Sequence, residues 1–459
     1  MLTIFLLLVV AVSCLVALVN WRWGVLFCIV VGLLQDPVRK VTPGTPAYLT
    51  LAFLPICFAM LGTLWSSTDL MGTVRRHFPE LIGAGLVFAV ALTASTIQTL
   101  SYGLHALPLA LLGLFSYAGS IPALFLGFFF LRRNFDELDW PLVGVTGLAS
   151  LMLVGVPLEY FGVKFSDPWL GTIAMSGVWR RWYGSTGWVE MISGFYRSPE
   201  IMGWHAATLV ILAMYLLIRK PAVLPLWGAC AGWGLSCALL SGRRKMLFLV
   251  VIFLLVFALF ARGGQTRKLL FCLAGAALLA LPILSLLVGD RYLETAQSSL
   301  DAVGDRAANT AVSGPLWLLG VVGLFGYGVG TKTQGGQHLG IDLDIPSFEG
   351  GFEKVLIELG VVGTAVLILL LIVFVRATLL CFRRIRMARL DATGPTALGA
   401  FVIANAAVFI VAFQIYGDPF VVFLVGFAGG LLLSGSRLAE QRLQTAAKHR
   451  LLPPSTALP

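Results

Sequence analysis

Charge is what this chain has least of: Asp, Glu, Lys and Arg together make up 12% of its 459 residues, while apolar residues make up 58%. So little charge excludes an ordinary water-soluble globule and a disordered chain. Short alternating apolar-polar segments are also lacking, which excludes a transmembrane β-barrel. The seven cysteines (Cys14, Cys28, Cys57, Cys230, Cys237, Cys272, Cys381) lie in or beside apolar runs without metal-ligand spacing, so they read as small core residues. There is no P-loop, no dinucleotide fingerprint and no His-Glu-x-x-His, which argues against a nucleotide-driven or metal-dependent enzyme. No relay of Asp, Glu and His runs through successive apolar segments, as a proton-driven carrier often has.

What is present is a succession of apolar runs, many of them close to 20 residues long, enough to cross a hydrocarbon core of about 30 Å as a helix. The expected fold class is therefore all-α: a polytopic integral membrane protein with about 12–13 transmembrane helices and two large external loops. The segments fall at roughly 2–19, 23–35, 46–65, 80–100, 106–131, 139–156, 201–218, 222–240, 244–261, 268–288, 352–375, 397–416 and 419–434. Leu2 to Val19 lacks a basic leader and reads as a first span instead of a signal peptide. The second segment is short enough to be re-entrant or tilted. In outline, 1–157 holds N-terminal helices, 158–200 a first external loop and 201–289 more helices. Residues 290–351 form a second external loop, 352–436 the C-terminal helices and 437–459 a cytoplasmic tail. An amphipathic helix is expected over Tyr292 to Ala311. The aromatic residues of the first loop suit a membrane interface.

The net charge is +10, and its distribution orients the chain. Of the 32 basic residues, 19 fall on one side, among them Arg22, Arg75, Arg76, Arg132, Arg133, Arg219, Arg376, Arg384, Arg437 and Arg442. By the positive-inside rule that side is cytoplasmic. The remaining 13 lie outside, against the rule, and basic residues kept at such positions usually bind something. A basic membrane protein points first to anionic headgroups, so nucleic acid is not expected as a partner.

Three outward groups carry the functional reading. In Tyr196-Arg197-Ser198-Pro199-Glu200, Ser198 can cap the following helix, Pro199 suits its first turn and Glu200 complements its dipole. Arg197 has no such local role, and a cation at a helix start makes an anion site. In Ser241-Gly242-Arg243-Arg244-Lys245, three cations at a helix start oppose the macrodipole. Snorkelling to headgroups is one explanation; a guanidinium fork for phosphate or pyrophosphate is the one preferred. The third group runs from Gly326-Tyr327-Gly328-Val329-Gly330 past Lys332 and His338 to Glu349-Gly350-Gly351-Phe352-Glu353-Lys354, then Ile357-Glu358-Leu359-Gly360. Glu349 or His338 could serve as a general base there. Glu353 reads more simply as a helix N-terminal acid paired with Lys354 or another cation. Elsewhere, Asp36 and Arg39 are expected to pair within their turn, His205 to be a core histidine, and Asp342 and Asp344 to be solvated. Structural pairing is also the expectation for Arg39, Arg291 and Arg306.

The order of these motifs resembles the O-antigen ligase and polymerase superfamily of bacterial membrane glycosyltransferases, best over Glu159 to Gly363. The resemblance rests on the large external loop ending at Glu200, on Ser241 to Arg244, on Asp305-Arg306 ahead of the glycine run, and on Glu358 to Gly363. It implies about a dozen helices around an external cavity in the bacterial inner membrane, with the active site facing the periplasm or exterior. It also implies metal-free transfer of glycan from an undecaprenyl-pyrophosphate carrier, with no cofactor. Pyrophosphate binding would fall on Arg197 and on Arg243 or Arg244, with Lys245 sharing the task; Arg244 could also stabilise the leaving group. Tyr196, Glu200, Arg306, Lys332 and Glu353 are possible further members. Where the family commonly has a histidine this chain has Glu349, which disfavours a lipopolysaccharide ligase and leaves the base open between Glu349 and His338. The expected function is an inverting glycan polymerase for O-antigen or exopolysaccharide, with a chain-length regulator or export complex as a possible partner. The alternatives are a ligase moving glycan to a lipid or protein acceptor and, of another class, a flippase of lipid-linked sugars.

Overall fold

The computed structural model describes residues 2–41, 53–66, 69–162, 179–183, 187–261, 313–333 and 350–451, with 266, 267, 270 and 273. The chain begins with α1 (Leu2–Val19), α2 (Trp21–Val41), α3 (Phe53–Ser66), α4 (Leu70–His77) and α5 (Pro79–Leu100). Then come α6 (Leu107–Ala118), α7 (Ser120–Phe130), α8 (Asp139–Met152) and α9 (Gly155–Tyr160). Among the described residues, β1 (Trp179–Tyr183) and β2 (Gly187–Met191) pair antiparallel and the other regular elements are helices. The chain continues through α10 (Pro199–Arg219), α11 (Leu224–Leu240), α12 (Arg244–Phe260) and α13 (Gly314–Leu319). It ends with α14 (Gly351–Met387), α15 (Thr393–Val411) and α16 (Pro419–Leu451). Nine helical stretches among the described residues are long and apolar enough to cross a membrane, and three shorter apolar helices accompany them. The chain is a multi-pass membrane protein.

Helix α10 is the axis of the bundle. It is apolar on every side and buried along nearly its whole length, as such a helix must be inside a larger protein. It packs on α11, α8 and α12, while α7 lies along α16 and α5 along α14. Without a hydrophobic drive between helices in lipid, small residues allow the close contacts. Gly426 and Gly430 of α16 sit one turn apart against Ser120 and Leu124 of α7. The outer face of α14, including Leu371, Ile372 and Leu379, is exposed and suited to lipid.

Several boundaries differ from the expectation. Helix α2 runs through Pro37 to Val41, a full span where a short segment was expected. The segment 106–131 is two helices broken at Gly119. The last helix continues to Leu451, so most of the expected tail from 437 is helical: its Ala, Leu, Gln and Arg residues are all good helix formers, and the polar ones break the apolar run without breaking the helix. The segment 268–288 lies almost wholly outside the described residues, and the amphipathic stretch 292–311 wholly so.

Ion pairs sort by end. At one end Arg219 meets Asp136, Asp139 at 3.4 Å and Asp391 at 2.8 Å, and Arg376 meets Glu80 at 3.2 Å. There Arg22 and Arg437 also cap α7, donating to the carbonyls of Phe129, Phe130 and Leu131. The opposite end holds Lys40, Asp36, Glu159, Arg197, Asp418, Glu200 and Arg243.

Candidate functional site

The segment Ser193 to Glu200 is held by side chains before it enters α10. Lys40, at the end of α2, is almost fully buried; its ammonium donates to Ser193 Oγ at 2.8 Å, to the Gly194 carbonyl, and to the Tyr196 carbonyl at 3.1 Å. Glu159, 3.9 Å from Lys40, accepts from the Ser193 and Gly194 amides at 3.2 and 2.6 Å. Gly194 has φ +56°, where a side chain would also meet Val156. Ser198 caps α10 as expected, accepting from the Ile201 amide at 3.4 Å, and Pro199 opens the helix.

Tyr196 is buried, and its ring stacks on His205 at 4.7 Å; the Phe420 ring stacks on the same imidazole at 5.9 Å. His205 is thus the core histidine expected. The Tyr196 hydroxyl has no hydrogen-bond partner among the described residues. Burial, with Asp36 and Cys237 nearby, pushes its pKa up from the ordinary phenol value.

Arg197 departs from the expectation of an open anion-binding cation. Its guanidinium is bonded to Asp418 and lies 4.0 Å from Asp36, and both acids are almost fully buried. Burial alone would lower the Arg197 pKa; Asp418 and Asp36 more than offset this and hold it above the ordinary guanidinium value. Asp418 lies 221 residues further along the chain, so no local pattern reveals the pair. Asp418 also caps α16, accepting from the Phe420 amide at 2.7 Å. Asp36 accordingly reaches beyond its own turn, and Arg39 lies close enough to interact with Arg197, Asp36 and Asp418.

The second group joins the first. Glu200 forms an ion pair with Arg243. The Ile192 amide donates to the Leu240 carbonyl at 3.2 Å, and Gly242, at φ +63°, turns the chain into α12. Arg244 opens α12, but its side chain lies outside the described residues. Lys245 donates to the Val411 carbonyl at 2.6 Å. Between them is a cavity of about 200 Å³ walled by Glu200, Arg243, Lys245 and Gln414 over Met246, Ala412 and Ile415. It is a small recess with charged and polar side chains on its wall and apolar ones at its base.

The third group packs nearby. Gly326, Gly328 and Gly330 all have positive φ, at +69, +98 and +86°. They form the tight loop expected of a glycine run. Glu358 is fully buried and accepts from Tyr117 at 2.7 Å, from the Lys332 amide at 2.9 Å, from Thr333 at 3.3 Å and from Lys354. With four donors on its two oxygens this carboxylate is a structural anchor. Lys354 therefore pairs with Glu358, while Glu353 accepts from the Gly350 amide at 2.8 Å as the helix-start acid expected. Burial pushes the Lys332 ammonium below its ordinary pKa, against the pull of Glu358 and Glu353.

The turn from α15 to α16 is the hub that sequence reasoning missed. It supplies Asp418 to Arg197, the Val411 carbonyl to Lys245, and Gln414 to the cavity. Gly351, at the start of α14, sits so close to the Phe409 carbonyl that a Cβ would lie 2.2 Å from it. The described start of α14 and the cavity therefore touch the same end of α15. A lone acid in Gly417-Asp418-Pro419, between two apolar segments, was the available signal. Tyr117, inside an apolar run, gave none. Glu349, His338, Arg306, Arg291, Asp342 and Asp344 lie outside the described residues. Among the described residues no group of three or more His, Cys, Asp or Glu side chains could hold a metal ion. No family model matches the chain, and no curated protein matches it in sequence.

Proposed function

We propose that this membrane protein is a glycan polymerase, moving oligosaccharide from a polyprenyl-pyrophosphate-linked donor to a growing lipid-linked surface polysaccharide. One observation supports this most: the cavity at the start of α12, where Arg243 and Lys245 stand beside Glu200. Glu200 orients the Arg243 guanidinium and offsets its charge while no substrate is bound. The donor pyrophosphate competes for that guanidinium, with Lys245 and Arg244 adding positive charge. As the anomeric bond breaks, the leaving pyrophosphate gathers charge, and cations fixed where water is partly excluded favour that state. The acceptor hydroxyl loses its proton to Glu349 or His338. Arg197, neutralised by Asp418, acts by holding the loop in place. The positive-inside rule assigns the Arg22 end to the cytoplasm, so the cavity faces outside in a bacterial inner membrane.

The test is genetic. The chromosomal copy is deleted and replaced by wild type, Arg243→Ala, Lys245→Ala or Glu349→Gln, with membrane levels checked by immunoblot. Surface glycan and carrier-linked intermediates are then run on gels. Arg243→Ala is expected to reduce long chains on the order of a hundredfold while single repeat units still form. Full-length chains stranded on the carrier would indicate a ligase instead. Normal ladders from all three variants would end the catalytic reading in favour of transport.

A further inference from the structure

A second cationic recess lies at the opposite end of the molecule, far from the cavity just described. It is a groove of about 470 Å³ between the α7–α8 turn and the last helix, and Arg132, Arg133 and Arg442 line it together with Asn134 and Gln441. No acidic residue lines it. All three arginines are exposed, and none of their guanidiniums makes a hydrogen bond or ion pair among the described residues. That sets them apart from Arg219, Arg376 and Arg197, each of which meets a carboxylate. Behind the groove Arg22 and Arg437 add further positive charge, and they are spent on the α7 carbonyls. Of the acids beside it, Glu137 is engaged by the Arg132 and Arg133 backbone amides at 2.9 and 2.7 Å, and Asp136 accepts from Asn134 at 3.1 Å and pairs with Arg219.

The floor of the groove is apolar, formed by Leu390 and Leu438. Its depth is set by α16, which starts at Pro419. At about 1.5 Å per residue, Leu438 lies roughly 29 Å along that helix, close to the thickness of a hydrocarbon core. The recess therefore opens at headgroup level, with apolar side chains toward the acyl region and guanidiniums toward water. We propose that it is a binding site for an anionic phospholipid, whose phosphodiester lies between Arg132, Arg133 and Arg442 and whose glycerol end rests on Leu438. Guanidinium forks suit phosphate oxygens, and basic recesses at the cytoplasmic membrane face attract anionic lipid. The proposal is independent of the glycan reading, since it uses none of the cavity residues.

Native mass spectrometry of the full-length protein in mild detergent tests it, with phosphatidylglycerol or phosphatidylcholine added. Wild type is compared with Arg132→Gln/Arg133→Gln/Arg442→Gln and with a charge-matched control, Arg75→Gln/Arg383→Gln/Arg386→Gln. Thermal unfolding confirms that each variant is folded; a second set with Lys at the three groove positions keeps the charge and loses the fork. Wild type and control are expected to retain phosphatidylglycerol at least tenfold more than phosphatidylcholine. The Gln triple is expected to lose that preference and the Lys triple to keep part of it. Equal retention by the Gln triple and wild type would overturn the site. So would full displacement of the lipid by millimolar glycerol phosphate, which would indicate a soluble phosphate ligand, or by polyglutamate, which would indicate an acidic peptide.

Discussion

Asp418 does two jobs with one carboxylate, and a single substitution separates them. It caps α16 through the Phe420 amide and neutralises Arg197. Asn is as good an N-cap as Asp, so Asp418→Asn keeps the cap and removes the charge. Breaking a buried pair by removing one partner typically costs about 3–5 kcal/mol, because the survivor stays desolvated. Asp36 lies 4.0 Å from the same guanidinium and shares the load, which places the expected loss near the low end of that range. Arg197→Gln should be worse, since it leaves Asp36 and Asp418 facing each other. The double variant Arg197→Gln/Asp418→Asn should then be more stable than Arg197→Gln alone. Thermal unfolding in detergent measures all three; a double variant whose loss equals the sum of the singles would mean the two residues do not interact.

At the scale of elements, the critical device is the break in α14. Gly360 has φ +68° inside a helix of 37 residues. The break frees the Val361 and Val362 amides, which donate to the Gly323 and Leu324 carbonyls at 3.3 and 3.1 Å. The glycine loop is in turn pinned back, with Tyr327 donating to the Ile357 carbonyl at 2.7 Å. A Cβ at Gly360 would fall 2.4 Å from the Gly326 amide nitrogen, in addition to its strained φ. Gly360→Ala is expected to abolish the monodisperse peak in size-exclusion chromatography. Gly144→Ala, in α8 with open space around its position, should be neutral or stabilise by up to about 1 kcal/mol. If both variants behave alike, the junction does not hold the fold. The spans around this junction are legible in sequence because apolar runs need no partner to be recognised. The break is not, since Gly360 reads as one more small residue in an apolar helix. The same divide runs through the site. Arg197 and Arg243 stand out because they violate a charge rule, which depends on sequence and side alone. Their partners Asp418 and Glu200 are chosen by packing, which no local pattern records.

At the scale of the molecule, the two ends differ in kind, and the difference fixes what each can do. One end holds arginines that cap α7, the Arg219 cluster and the groove of Arg132, Arg133 and Arg442. The other holds the cavity of Arg243 and Lys245 with its neutralised neighbours. Excess Lys and Arg in short loops marks the cytoplasmic side, so the first end is expected inside and the cavity outside. Two exposed positions report on this. Ser101 follows α5 at the cavity end, and Gln444 lies beyond Leu438 on α16 at the groove end. Single cysteines are placed at each, with wild type as the background, and labelled in spheroplasts with a membrane-impermeant maleimide. Cys28, Cys237 and Cys381 are buried, whereas Cys14, Cys57 and Cys230 are half-buried, so the labelling of wild type is subtracted from each variant. Ser101→Cys should label in intact spheroplasts and Gln444→Cys only after lysis. The reverse pattern would turn the cavity toward the cytoplasm. A donor whose sugars had already crossed the membrane could not then reach Arg243, and the polymerase reading would fall, while the lipid groove would remain a testable feature of the opposite leaflet.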